Sequence, residues 1–242
     1  MRLALIGYGA MGKLVAARAE AADHEVALTL TSRGAERSVE ELTNRLRGMD
    51  AAIDFSVADA VPLHVLACAQ AGVPLVEGTT GWSNQEAQVR RLVAEHDGAL
   101  VYGANFSIGV QIFYRIVAHA AELFKAVEEY APFVEEAHHA RKQDAPSGTA
   151  LQLIELIKPH FNQEIPVSST RAGYIPGTHS VGFDSLADSV TLTHTARTRE
   201  GFAAGALLAA QWIKGRRGVY LFSDACDQIL KEGGDRKNDD AN

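Results

Sequence analysis

The sequence predicts an α/β protein, with a parallel sheet and crossover helices from Met1 to about Phe106 and an α+β domain with a mixed sheet after it. Three observations carry this. Short apolar runs alternate with amphipathic stretches of helical length through the N-terminal part. Beyond Pro159 the order changes to β-branched or alternating runs separated by Gly and Pro turns. The composition is globular, because 242 residues with 47% hydrophobic and 22% charged side chains can bury one large core or two small ones.

The apolar runs Arg2-Ile6, Glu25-Thr31, Ala51-Phe55, Pro74-Val76 and Ala99-Tyr102 read as strands. Between them Ala10-Ala22, Val39-Leu46, Asp59-Ala71 and Asn84-His96 read as helices, with stops at Gly72 and Gly98. A helix-like stretch, Gly109-Lys125, leads to a strand at Ala131-His138, a polar loop and a helix at Thr149-Lys158. Ile165-Arg171, His179-Asp184 and Ser189-Arg197 then read as strands, Gly201-Ile213 as an apolar helix, Gly218-Phe222 as a short strand and Asp224-Lys231 as a last helix. The polar tail Glu232-Asn242 is expected to fray.

A formal charge of -7 disfavours a general nucleic-acid or anionic-membrane binder. Two cysteines, Cys68 and Cys226, are too few for a disulfide framework or a Cys-rich zinc site, and their apolar or helical contexts suit small buried side chains. The apolar start before Gly7 is too short for a signal-peptide core, and no later run approaches a membrane span, so a cytoplasmic protein is expected.

Gly7-Tyr8-Gly9-Ala10-Met11-Gly12 is a G-x-G-x-x-G directly after the first strand and at the start of the first helix, the context that a Rossmann dinucleotide site requires. Gly7 permits the tight turn, Gly9 lets a pyrophosphate approach the backbone, and Gly12 allows close helix-sheet packing. The second strand ends in Thr31-Ser32-Arg33, without the carboxylate that would accept from an adenine ribose. Arg33 after Ser32 either meets a 2′-phosphate, favouring NADPH or dual use, or is a solvated surface cation. The other strand ends carry Asp54-Phe55-Ser56, Gly78-Thr79-Thr80-Gly81 and Gly103-Ala104-Asn105-Phe106-Ser107, small and polar segments edging one predicted crevice.

The segment Glu135 to Thr149 concentrates His138, His139, Arg141, Lys142 and a capped helix start at Ser147-Gly148-Thr149. On a strand, His138 and His139 point to opposite faces. A cationic lysine, imidazoles and a helix N-terminus suit an anionic substrate and offer a proton donor near neutral pH. Each of these residues also has a structural reading, as a satisfied core histidine or a simple cap. No metal is expected, because adjacent histidines lack helical ligand spacing and no Cys cluster supports them.

With these residues in view, the sequence closely resembles the bacterial 4-hydroxy-tetrahydrodipicolinate reductases, also called dihydrodipicolinate reductases, of diaminopimelate and lysine biosynthesis. The resemblance covers almost the whole chain. It rests on the glycine motif, Asp54-Phe55-Ser56, Gly78 to Gly81, Asn105 to Gly109, and above all His138 to Thr149, which reads HHARKQDAPSGT. Arg171-Ala172-Gly173, Pro176 to His179 and Thr193 to Arg199 also match. It implies a Rossmann domain, 1–107 rejoined by 217–242, around a substrate and oligomerisation domain, 108–216, usually in a homotetramer. His138 then takes the proton-donor role and Lys142 that of catalytic cation, while His139, Lys142, Ser147, Gly148 and Thr149 bind a small cyclic dicarboxylate. Gly7 to Gly12, Ser32, Arg33, Gly78, Thr79, Thr80, Gly103, Ala104, Asn105 and Phe106 hold NADPH or NADH. The departure is at Ser32-Arg33, where many members have an acid followed by Arg, and it argues against a strong NADH preference.

Two other functions compete: a generic amino-acid or hydroxy-acid dehydrogenase, and a nucleotide-sensing module without catalysis. Loss of the His/Lys/helix-start cluster would mark the latter, and the cluster is intact. Because cofactor and substrate residues fall in different domains, turnover is expected to require closure about hinges near Phe106-Gly109 and Gly215-Gly218.

Overall fold

The computed structural model describes residues 1–31 and 38–239, with side chains described to residue 232. The chain divides into two compact units, Met1–Ile108 with Arg199–Asn242, and Gly109–Thr198.

The first unit runs β1 (Arg2–Ile6), α1 (Ala10–Glu20), β2 (Glu25–Leu30), α2 (Val39–Leu46), β3 (Ala51–Asp54), α3 (Val61–Ala71), β4 (Leu75–Glu77), α4 (Glu86–Glu95) and β5 (Ala99–Tyr102). The parallel sheet has the order β10-β5-β4-β3-β1-β2, where β10 (Gly218–Leu221) returns from the end of the chain. Strand alternation sorts its residues into two cores. Leu3, Leu5, Ile53 and Val101 pack with α1 on one face, whereas Ala4, Ile6, Leu75 and Leu100 pack with α2, α3 and α4 on the other. Each fully buried leucine or isoleucine contributes about 1.5–3 kcal/mol of apolar burial. Both cysteines are buried, as the sequence suggested.

Helix boundaries follow local chemistry. Ser38 caps α2 by accepting from the Glu41 N–H at 3.2 Å, and α3 ends on Gly72 at φ +71°. The expected stop at Gly98 needs correction, because the left-handed residue is Asp97 at φ +49°. Gly98 is small for another reason, since a Cβ there would lie 2.9 Å from that of Ala69.

The second unit holds α5 (Ile108–Phe124), whose first residue belongs to the first unit, then β6 (Ala131–His138), α6 (Gly148–Ile157), β7 (Val167–Arg171), β8 (Gly177–Asp184) and β9 (Ser189–Ala196). Its sheet order is β7-β6-β8-β9, with β6 and β7 parallel and the other pairs antiparallel, which makes it the mixed sheet expected. Val134, Val181 and Phe183 cover one face together with Val117 of α5 and Leu153 of α6. The opposite face carries Phe133, Ser180, Thr191 and Thr193, among which Ser180 and Thr193 share a 3.0 Å hydrogen bond.

The expected return to the first unit at residue 217 is too late. Helix α7 (Glu200–Ile213) already belongs there, with Ala203, Ala206, Ala210 and Ile213 buried against Leu3 and Leu5. An apolar helix in sequence does not say which core it fills, and α7 joins this one through small residues. A Cβ at Gly205 would come within 1.7 Å of the Phe106 carbonyl oxygen. Where the sequence suggested a frayed tail from Glu232, helix α8 runs from Phe222 to Asp239.

Candidate active site

In the first unit, β2 lies on one side of β1 and β3 on the other, so the chain reverses its winding at the carboxyl ends of β1 and β3. Gly7 turns there at φ +87° and donates its N–H to the Leu30 carbonyl at 2.9 Å. A Cβ on Gly7 would stand 2.4 Å from the Phe55 carbonyl oxygen, and one on Gly12 would stand 2.1 Å from that of Gly7. The protein's own packing therefore explains both glycines. Gly9 differs, because a Cβ there would meet nothing within 4 Å. It caps α1 with no side-chain acceptor and no acid in the first turn, leaving the first-turn N–H groups of Ala10, Met11 and Gly12 to an outside acceptor. This cradle fits a dinucleotide pyrophosphate. Tyr8 beside it is exposed.

At the neighbouring strand ends, Asp54 and Glu77 are both fully buried. His64 Nδ1 lies 2.6 Å from Asp54 Oδ2. The Thr79 N–H donates to Glu77 at 2.7 Å, while the Thr79 hydroxyl accepts from the Ser56 N–H at 3.1 Å. Burial, and then the charge of Asp54, push Glu77 well above the usual carboxylate range. Thr79, Thr80, Gly81, Trp82, Gly103 and Ala104 line a recess beside this network. Phe106, expected at the cofactor, is buried, its ring 4.4 Å from that of Phe222 and its carbonyl against α7. Asn105 turns inward to accept from the Ser107 N–H at 2.9 Å. Ser32 and Arg33 lie outside the described residues.

In the second unit, Glu136 and His138 share the buried face of β6, two residues apart. Glu136 Oε1 accepts from the Ser147 N–H at 3.0 Å, the Ser169 hydroxyl at 2.7 Å and Arg171 Nη2 at 2.7 Å. Its other oxygen lies 3.5 Å from His138 Nδ1 and 3.6 Å from His179 Nε2. Burial alone would raise Glu136, but the bonds from Ser147, Arg171 and Ser169 hold it down at about 2. Burial, and then the charge of His138, lower His179 to about 4. His138 is also lowered, first by burial, with Lys142 and Arg171 adding to the effect against Glu136 and Asp144.

Ser147 caps α6 by accepting from the Ala150 N–H at 3.2 Å, and its hydroxyl meets His179 Nε2 at 3.0 Å. Ser147, expected at the substrate, is buried, and its N–H and hydroxyl are both engaged inside the protein, where they shape the helix start. Gly148 and Thr149 keep first-turn N–H groups with no acceptor inside the helix. His139, just beyond the end of β6, is half-buried, and Lys142 is held by Asp144. Glu136, His138 and His179 bring metal-ligand atom types within 4.8 Å of one another. Arg171 already pairs with that carboxylate, and the Ser147 hydroxyl engages His179.

The N-terminal sequence model of the dihydrodipicolinate reductase family matches residues 1–106, and its C-terminal model matches residues 109–225. The chain belongs to the dihydrodipicolinate reductase family. A 4-hydroxy-tetrahydrodipicolinate reductase of Christiangramia forsetii is 33% identical over 243 residues, covering 96% of this chain and 100% of that protein. One from Natronomonas pharaonis is 35% identical over 248 residues, covering 93% and 99%. Among solved structures, the dipicolinate-bound dihydrodipicolinate reductase from Paenisporosarcina sp. TG-14 has a TM-score of 0.74 at 20% identity, over 91% of this chain and 97% of that one. A probable dehydrogenase from Thermotoga maritima reaches a TM-score of 0.60 at 11% identity, over 95% and 94%, a likeness of fold.

In this dihydrodipicolinate reductase family chain, sequence reasoning assigned no role to Glu136, Ser169, Arg171, His179, His64 or Glu77. The signal for Glu136 was its place two residues before His138 on a strand, which puts both on one face. Asp54 and Glu77 close β3 and β4 within one residue of the ends of the expected strands, Phe55 and Val76, and parallel neighbours end side by side. The partners on β7 and β8 carried no such signal, since only strand register brings them in.

Proposed function

We propose that the chain is an NAD(P)H-dependent 4-hydroxy-tetrahydrodipicolinate reductase, acting in diaminopimelate and lysine biosynthesis to form tetrahydrodipicolinate with release of water. The observation that carries this is the cluster of the second unit, where an imidazole backed by a buried carboxylate lies in the same segment as a lysine and a capped helix start.

A bound reduced nicotinamide supplies the hydride. Gly9 and the first turn of α1 hold the pyrophosphate, and the Thr79-Thr80 and Gly103-Ala104 backbone bounds the recess beside it. In the second unit, the first-turn N–H groups of Gly148 and Thr149, with Lys142 and His139, bind the two carboxylates of the substrate. Loss of the 4-hydroxyl and a ring proton as water gives the conjugated C=C–C=N system, and hydride addition to it leaves an electron pair that takes one proton, which His138 delivers. Burial keeps this imidazole neutral in the free protein, and the arriving dicarboxylate draws a proton onto it.

The finer readings belong to the same proposal. NADPH serves at least as well as NADH, because Ser32 stands where an acid would favour NADH and the cation of Arg33 follows it. The Ser/Thr-rich open face of the second sheet supports homotetramer assembly. Among the described residues no helix is long and apolar enough to cross a membrane, which suits a cytoplasmic enzyme, and the charge of -7 suits one without nucleic-acid partners. A coupled assay with synthase-generated substrate and each reduced cofactor tests the activity. Consumption of reduced nicotinamide that depends on substrate supports it, and none with either cofactor overturns it.

A further inference from the structure

We propose that Glu136 is a positioning residue for the reduction, orienting the imidazole of His138 and tying it to the α6 helix start. This rests on the reading of His138 as proton donor.

The argument begins with the two oxygens of one carboxylate. Oε1 receives three donors, the Ser147 N–H, the Ser169 hydroxyl and the Arg171 guanidinium, so it has no capacity left. Oε2 is fully buried without a hydrogen-bond partner, and so is His138 Nδ1, 3.5 Å away. Two complementary groups, both shut off from water, satisfy one another by a shift of about half an ångström, whereas leaving both unpaired costs about 1–3 kcal/mol each. The pairing places the hydrogen of neutral His138 on Nδ1 and leaves Nε2 as the atom that exchanges a proton with substrate. The same carboxylate holds the Ser147 N–H, so donor and carboxylate-binding turn share one anchor. A purely architectural role for Glu136 needs only Arg171 and Ser169 and does not account for the second oxygen facing two imidazoles.

His138 is faced by Glu136 from its own strand, Arg171 from β7, His179 from β8, and Lys142 and Asp144 from the loop before α6. Removing the Glu136 charge leaves Lys142, Arg171 and a second imidazole opposed by Asp144 alone, so the protonated donor is lost at lower pH. Glu136→Gln is therefore expected to lower kcat about 10–100-fold, leave the affinity for NADPH unchanged and move the alkaline limb of the kcat profile to lower pH. Because the effect passes through His138, the double variant Glu136→Gln/His138→Ala is expected to be no slower than His138→Ala alone. Nitrogen-15 NMR of the wild-type imidazole is expected to show the proton of neutral His138 on Nδ1, a readout independent of whether any variant folds.

A slow His138→Ala enzyme beside Glu136→Gln with wild-type kcat and an unmoved alkaline limb overturns this inference and leaves the donor assignment standing. A His138 proton on Nε2 overturns it as well, as do losses that multiply in the double variant. A fast His138→Ala enzyme removes the donor reading, and the positioning role falls with it.

Discussion

Both carboxylate oxygens of Asp144 grip the ammonium of Lys142, at 2.8 and 2.9 Å. The cation assigned to draw in a substrate carboxylate is thus occupied by an internal one two residues along the same loop. The Asp144 side chain is 56% exposed, and pairs of that kind contribute only about 0–1 kcal/mol, so an incoming dicarboxylate can displace it. Lys142→Ala is expected to raise KM and lower kcat together, because the charge both attracts and stabilises. Asp144→Asn is expected to change KM by less than about fivefold, the equivalent of that pair energy. Steady-state kinetics on both variants checks this, and a Lys142→Ala enzyme with wild-type parameters contradicts it.

The buried cluster also sets an acid limit on stability. His179 is lowered from 6.5 to about 4 by burial, so the folded state resists a proton that the unfolded chain accepts. Its contribution is full above pH 6.5 and is lost as pH falls toward 4, a loss of about 3 kcal/mol. Glu136, depressed from 4.5 to about 2, contributes fully above pH 4.5, and that contribution is lost as pH falls through 2. Thermal melts between pH 7 and 4 are expected to show a falling Tm, with a shallower fall in His179→Gln. Equal slopes contradict the assignment.

The glycines of the first turn separate packing from binding. Gly12→Ala is expected to lower Tm strongly, since its Cβ would meet the Gly7 carbonyl oxygen at 2.1 Å. Gly9→Ala adds a methyl group to open space and is expected to keep the fold at a cost of about 1 kcal/mol or less. Its dinucleotide affinity is expected to drop more than tenfold. Melts and cofactor titrations on the same preparations distinguish the two, and wild-type affinity in Gly9→Ala removes the cradle from the account.

The proposed cofactor preference rests on Arg33. Arg33→Ala is expected to weaken NADPH more than NADH, because only the former carries the 2′-phosphate. Equal losses, or a wild-type enzyme that ignores NADPH, contradict that role.

Much of this architecture was legible because its signals are local. The run Arg2-Ile6 and the glycines behind it specify a buried strand and its turn within twelve residues, and the observed β1 has the expected bounds. Ser147 was legible as a cap for the same reason, although its neighbours His179 and Glu136, which occupy it from within, were not. Arg171 and His179 reach Glu136 across strand pairs separated by 35 and 43 residues, and a single sequence carries no register. The sequence marks α7 as an apolar helix but not its unit, since apolarity says that a helix is buried without saying where.

The central claim is that His138 delivers the proton. The most direct measurement is kcat per folded active site in His138→Ala, with Tm and NADPH affinity determined on the same preparation. General acid catalysis predicts a fall of about 100-fold or more with cofactor affinity unchanged. A variant that keeps near-wild-type kcat, with or without a lower Tm, contradicts it.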